Sequence, residues 1–381
     1  MRFLHTADWH LGRSFHGVSL FDAQATWIDW LVESARDARV DAVLVSGDLY
    51  DRALPPVDAV RLADEALRRL AEIAPVVLIS GNHDSATRLA FGSGLLSRAG
   101  LHVLTDPATV GRPVMVGDVA FYGIPYLEPD VARGPLEVVE RGHGPVLAAA
   151  MARVRADRAA RPARTRAVVL AHAFVAGAAE SDSERDLSVG GAAAVPASVF
   201  AGIDYVALGH LHAPQRVGGN GRYAGSPVAF SFSEAGHGKS VALVTLADEP
   251  GSSPVVDLLP CPVTRPLAVL RGELDVLLED PAHASAETAW VQATLTDTAR
   301  PAEAMARLRT RFPHAVVLAF DPQGAGERSE DSYAVRLKGL DDRQLAAAFV
   351  EDVRGEGPSD AEQALLDDAL VARRVAEAVS G

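Results

Sequence analysis

The sequence predicts a layered α/β protein, and three observations carry that prediction. Five short apolar runs rich in β-branched residues (3–7, 42–46, 76–80, 167–171 and 205–208) each stop at small or polar residues, the pattern of strands buried on both faces. Between the first two, Trp27, Leu31 and Ala35 recur with Ile28 and Val32 at helical spacing, so the chain opens as a strand–helix–strand unit. Hydrophobic residues make up 48% of the 381, enough to bury a large core in more than one domain.

The elements follow in order. After the opening unit come helices over 57–71 and 86–98, with the third strand between them and the fourth and fifth strands further on. Past the proline-rich stretch 260–266 the pattern changes to strands at 267–270, 290–295 and 315–320 with a helix at 302–311, a separate small α/β unit. Beyond Lys338 the chain turns helical, with Asp341 as cap and Leu345, Phe349 and Val353 at four-residue intervals. Gly355, Gly357 and Pro358 interrupt it, and Ser359 with Glu362 forms a capping-box signature ahead of Leu365, Leu366, Ala369 and Leu370. There is no fixed-period repeat. The densest charge run, six arginines from Arg153 to Arg166 around Asp157, reads as a solvated helix face and linker in preference to a DNA contact.

Composition narrows the function. With 36 Lys and Arg against 50 Asp and Glu, the net charge is −14, which excludes a protein that coats nucleic acid through a broad basic surface. Any nucleic acid must be held locally or with a partner's help. A single cysteine, Cys261, gives no disulfide framework, as expected of a reducing cytoplasm. The opening residues carry polar and charged groups too early for a signal peptide or a membrane anchor.

The chemistry lies at the strand ends. Asp8 and His10 flank Trp9 after the first run, and in an extended chain residues two apart face the same side. Gly47 and Asp48 end the second run; Gly81, Asn82, His83 and Asp84 the third; His172 the fourth; and Gly209, His210, Leu211 and His212 the fifth. A lone D-x-H is more often a capped turn. Five strand ends that each deliver a metal-competent side chain to one rim are a site, and the seven histidines outside this set lack that context.

In this order, D-x-H, GD, GNHD, a lone His and GH-x-H resemble the calcineurin-like metallophosphoesterase superfamily. The resemblance implies a four-layer sandwich, two mixed β-sheets flanked by helices, holding two divalent ions. It implies that Asp8, His10 and His212 hold one ion, that Asn82, His172 and His210 hold the other, and that Asp48 bridges them. Carboxylate, imidazole and amide donors suit Mn²⁺ first, with Mg²⁺, Fe or Zn²⁺ as alternatives. His83 is implied to be a general acid or transition-state stabiliser, with Asp84 orienting it or capping the turn.

The runs 186–191 and 207–215, the stretch from Ala224 to Glu234 and the segment 349–355 resemble the SbcD family of nuclease subunits of bacterial Mre/Rad-type complexes. That resemblance implies a nuclease domain at 1–262, a DNA-capping domain at 263–337 and a helical segment at 338–381 that binds the coiled-coil ATPase SbcC. It also implies a homodimer within a heterotetramer, with 57–71 and 86–98 as the dimer helices. The activity implied is ATP-dependent 3′–5′ exonuclease action on double strands, with single-strand and hairpin endonuclease action, in DNA repair, replication and recombination. No P-loop sequence is present, so ATP would be the partner's. The rivals are a phosphoesterase of small nucleotides or phosphoproteins, and a metal-free binding module on the same fold.

Overall fold

The computed structural model describes residues 1–184, 194–249, 251–322 and 340–380. The run 186–191 and the 337/338 boundary lie outside the described residues. The chain divides into two compact units, Met1–Thr264 and Arg265–Gly381.

The first unit carries β1 (Arg2–Thr6), β2 (Ser14–Phe15), β3 (Val18–Ser19), α1 (Phe21–Asp37), β4 (Ala42–Ser46), α2 (Val57–Ala71) and β5 (Val76–Ile79). Next come the short α3 (Ala86–Leu89) and α4 (Ser93–Leu96), β6 (Leu101–Leu104), β7 (Val114–Val116), β8 (Val119–Ile124), α5 (Pro129–Leu136) and α6 (His143–Ala159). Strands β9 (Arg166–His172), β10 (Tyr205–Gly209), β11 (Gln215–Val217), β12 (Gly221–Tyr223), β13 (Ser240–Thr245) and β14 (Val255–Pro260) complete it. Two six-stranded sheets result, ordered β14-β13-β1-β4-β5-β6 and β11-β12-β10-β9-β8-β7. Both are mixed: the central strands run parallel, while β13, β14, β7 and β11 pair antiparallel.

Three apolar clusters bind four layers. Phe3, Leu44, Val77, Phe121, Leu170 and Tyr205 pack between the sheets. Trp27, Leu31, Leu62 and Leu70 cover the outer face of the first sheet, and Val146, Met151 and Val154 that of the second. Strands β4, β5, β9 and β10 are buried along their whole length, which is why they read as continuous apolar runs instead of alternating ones; β8 is equally buried but was not among the runs expected.

Two expectations change. The helix expected over 86–98 is broken into α3 and α4, because Gly92 between them adopts φ 74°, a left-handed conformation that ends a helical run. The arginine cluster lies on α6 and past it, and most of its members bond other groups of the chain. Arg153 donates to the Pro135 carbonyl at 2.7 Å, Arg155 and Arg158 to those of Val199 and Gly202, and Arg166 pairs with Asp118 at 2.6 Å. The bonds of Arg153, Arg155 and Arg158 fasten α6 to α5 and to the segment 199–202.

The second unit has β15 (Leu267–Gly272), α7 (Leu274–Glu279), β16 (Trp290–Leu295), α8 (Ala304–Arg311) and β17 (Ala315–Phe320), with the three strands parallel in that order. Leu274, Leu277, Val291, Leu295, Leu308 and Phe312 form its core. Helices Asp342–Arg354 and Asp360–Ser380 follow, the first closed by a reciprocal box between Asp341 and Gln344 and the second preceded by Ser359 bonded to Glu362. Ion pairs Arg343–Asp367 (2.7 Å) and Arg354–Glu362 (2.6 Å) fold the two together. Among the described residues no helix is long and apolar enough to cross a membrane.

Candidate metal centre

The carboxyl ends of β1, β4, β5, β9 and β10 deliver every residue singled out in the sequence to one rim. In the first loop, Trp9 is fully buried against Trp27 of α1, ring centroids 5.1 Å apart, so its neighbours Asp8 and His10 turn the other way. Their shared facing does not come from a strand pleat as expected. Strand β1 ends at Thr6, and Asp8 and His10 take φ of 55° and 43°. The loop is held by Asp8 N–H to Gly47 O and His10 N–H to Asp48 O, both 3.0 Å. Gln24 of α1, fully buried, donates to the His10 carbonyl at 2.8 Å.

Asp48 (φ 51°) and His210 (φ 109°) also occupy the left-handed region, so four of the eight such non-glycine residues among those described belong to this rim. Backbone strain of this kind costs on the order of 1–3 kcal/mol per residue and persists where surrounding structure holds it. Two glycines permit the close approach. A Cβ on Gly81 would lie 2.1 Å from the Asp48 carboxylate, and one on Gly209 would lie 1.9 Å from the Ser46 carbonyl oxygen. Gly209→Ala should therefore push β10 off β4 and cost about 1–3 kcal/mol. A thermal melt unchanged from wild type would contradict that packing.

The donor atoms converge. Asp48 Oδ2 lies 3.5 Å from His10 Nε2 and 3.6 Å from His172 Nε2. His10 Nε2 and His212 Nε2 are 3.1 Å apart. Three groups, Asp8 with His10 and His212, His10 with Asp48 and His83, and Asp8 with Asp48 and His172, each gather their ligand atoms within 4.8 Å. Asn82 Oδ1 is 2.9 Å from His172 Nε2, the His210 ring stands 5.5 Å from that of His172, and the His210 N–H donates to Asp8 Oδ1 at 2.9 Å.

Electrostatics identify what would satisfy this cluster. Burial lowers His10 and His210 well below the usual imidazole value, with neighbouring imidazoles adding to it, and burial lowers His172 to about 4. These rings are neutral at physiological pH. Burial, then the charge of Asp48, raises Asp8 well above the carboxylate range. His172 Nδ1 faces the Ser46 carbonyl at 2.9 Å, and a carbonyl only accepts, so Nδ1 carries the proton. Its Nε2 lone pair then meets the Asn82 amide oxygen, acceptor against acceptor. Cations between such lone pairs and repelling carboxylates are the group these residues fit.

His83 and Asp84 fall beside the cluster. His83 Nδ1 lies 2.8 Å from the Asp51 carbonyl, and its backbone N–H donates to Asp48 Oδ1 at 2.9 Å. The Asp84 carboxylate accepts backbone N–H groups of Gly81, Tyr50 and Leu49 at 2.9, 3.0 and 3.2 Å. Of its two expected roles, these bonds carry the turn clamp, tying the loop after β5 to the loop after β4, while the Asp51 carbonyl orients the His83 ring.

Sequence reasoning missed Gln24, Ser183, Glu184, Glu234 and Lys239. A polar Gln24 in the apolar stripe of α1 was a visible signal. Glu234 lay in the stretch whose resemblance was noted without being singled out, and Ser183, Glu184 and Lys239, buried or half-buried around His212, had no signal.

The fold and the rim together define a metal-dependent phosphoester hydrolase. The chain belongs to the calcineurin-like phosphoesterase family, whose model matches residues 1–214. The model of the SbcD C-terminal family, described as type 5 capsule protein repressor C-terminal domain, matches residues 263–354, so the resemblance seen in the sequence holds in both halves. Among solved structures, the chain is similar to a crystal structure of a dimetal phosphatase from Danio rerio, with 13% identity over 67% of this chain and 98% of that one and a TM-score of 0.36.

Proposed function

We propose that this protein is the nuclease subunit of an SbcCD-type DNA-repair complex, hydrolysing DNA phosphodiesters with two divalent ions, Mn²⁺ first among them. The observation that carries the reading is a complete Asp, His and Asn rim in a chain that continues into an SbcD-type C-terminal domain. Asp8, His10 and His212 would hold one ion, and Asn82, His172 and His210 the other, with the Asp48 carboxylate between them. Bound there, two divalent ions activate water, orient the phosphate and neutralise its growing charge. The chain's own work is to hold the donors at the rim with their imidazoles buried and neutral, and to present His83 to the leaving group as a general acid.

The capping and partner roles rest on the second unit. Residues 263–337 would cap DNA, and the last two helices would bind SbcC, whose ATP binding would control access. Phe349, Val353 and Leu365 stand 60%, 56% and 69% exposed on those helices, apolar groups that a docked partner would bury. The self-association face is assigned to the groove of about 870 Å³ beside α2 and α3, where Leu54, Val60 and Phe91 are exposed.

Two experiments test this. Mn²⁺-dependent cleavage of hairpin and end-blocked DNA, with and without the ATPase, should be seen; preference for phosphopeptides or mononucleotides over duplex DNA would favour the small-substrate reading. Deleting the chain after residue 339 should abolish stable association with SbcC while sparing Mn²⁺-dependent cleavage of short single-stranded DNA. A truncated protein that co-purifies with the ATPase as well as the full chain does would move the partner site elsewhere.

A further inference from the structure

His212 is held at every polar atom except one. Its backbone N–H donates to Glu184 Oε1 at 2.7 Å, and its carbonyl accepts from Lys239 Nζ at 2.9 Å. Its Nδ1 lies 2.6 Å from the Ser183 hydroxyl. Only Nε2 is left to face His10 across 3.1 Å. The holding groups come from two segments. Ser183 and Glu184 are carried on a loop fixed by Arg13, which donates to the Ser183 carbonyl at 2.9 Å, and by the Asp182 N–H, which donates to Ser233 Oγ at 3.1 Å. Glu234 and Lys239 form an ion pair in the interior, 1% and 8% exposed.

The proton arrangement follows from what each group can do. Glu234 is ion-paired with Lys239 and also accepts the Phe230 N–H at 3.0 Å, so as a carboxylate it only accepts. The Ser183 hydroxyl has one proton, and at 2.6 Å from Glu234 Oε1 it gives that proton to the carboxylate. The contact with His212 must then be Nδ1–H donating to the serine oxygen. That fixes the Nδ1–H tautomer and leaves the Nε2 lone pair aimed into the cluster. Lys239 also donates to Ser226 Oγ at 2.8 Å, which satisfies its buried ammonium.

We infer that Ser183, Glu234 and Lys239 are positioning residues that hold His212 as a ligand-competent tautomer, through a serine relay where a metal-bound histidine more commonly meets a carboxylate directly. This rests on the metal-centre reading above, and it concerns the ion held by His212 alone. Outer groups of this kind are typically worth about 10- to 100-fold in metal affinity.

The test is Mn²⁺ titration of the chelator-stripped full-length protein by calorimetry, with hydrolysis followed separately. Wild type should bind two ions per chain. Ser183→Ala and Glu234→Gln should weaken one of the two by about 10- to 100-fold and leave the other unchanged, and Ser183→Thr, which keeps the hydroxyl, should restore it. Circular dichroism and melting check that each variant is folded. Two wild-type affinities in folded Ser183→Ala would overturn the relay while leaving the two-ion reading intact. Failure of the wild type to bind Mn²⁺ would overturn both.

Discussion

Asp48→Asn is expected to bring hydrolysis to background while making the metal-free protein more stable than wild type. Asp48 Oδ2 stands between His10 Nε2 and His172 Nε2, and its Oδ1 accepts the His83 N–H. An asparagine keeps that shape and that hydrogen bond but removes the charge shared by both halves of the rim. The same charge is a burden without cations. Asp8 is raised by burial and then by Asp48, and Asp84 is raised by burial and then by Asp48, from 3.8 to about 6. A carboxyl with a raised folded pKa favours the fold only while protonated, so this contribution is complete below about 3.8 and lost as pH climbs through about 6. The stability gain of Asp48→Asn should therefore be small near the lower value and grow as pH rises through the higher one. Melting curves of metal-free protein across that window, set beside Mn²⁺-dependent rates, measure both effects. Residual turnover above a few per cent at saturating Mn²⁺ would remove Asp48 from its place between the ions.

How much of this was legible in the sequence depends on how local the cause is. The strand ends were legible because strands buried on both faces leave continuous apolar runs, and because a Gly-Asp or a GNHD immediately after such a run can point only to the sheet's edge. The mutual bond of Asp341 and Gln344 was legible as a cap because it spans three residues. Strand β7 was missed, since Val114–Val116 is too short and too exposed to show a period, and the buried run of β8 beside it was overlooked. The left-handed turns at Asp8 and His10 were also invisible, because those conformations are imposed by bonds to Gly47 and Asp48 on another strand. Ser183 and Glu234 are 51 residues apart and meet only in the fold. The arginines on and after α6 were read as a solvated face, and the distant carbonyls and the Asp118 carboxylate that several of them bond left no mark in the sequence.

His83→Gln is expected to keep both ions and lose about 10² to 10⁴ in turnover, the usual worth of general acid catalysis. The geometry leaves a choice that this variant resolves. His83 offers a ring nitrogen within 4.8 Å of ligand atoms on His10 and Asp48, which would suit a ligand. Its Nδ1 is turned to the Asp51 carbonyl at 2.8 Å, so that nitrogen carries a proton and Nε2 can either ligate an ion or, as part of an imidazolium, donate to a leaving oxygen. Its ring also packs against that of His10, centroids 4.7 Å apart. Glutamine retains polar reach but has no proton to pass to a leaving oxygen. The loss should accordingly depend on the leaving group. DNA expels an alkoxide that needs protonation, whereas bis(4-nitrophenyl) phosphate expels a phenolate that does not. The rate on DNA should fall by the full factor and the rate on the nitrophenyl ester by far less, with elemental analysis still returning two ions per chain. If metal content falls with activity, His83 is a ligand; if both substrates slow equally with both ions retained, it stabilises the transition state and the proton must come from elsewhere.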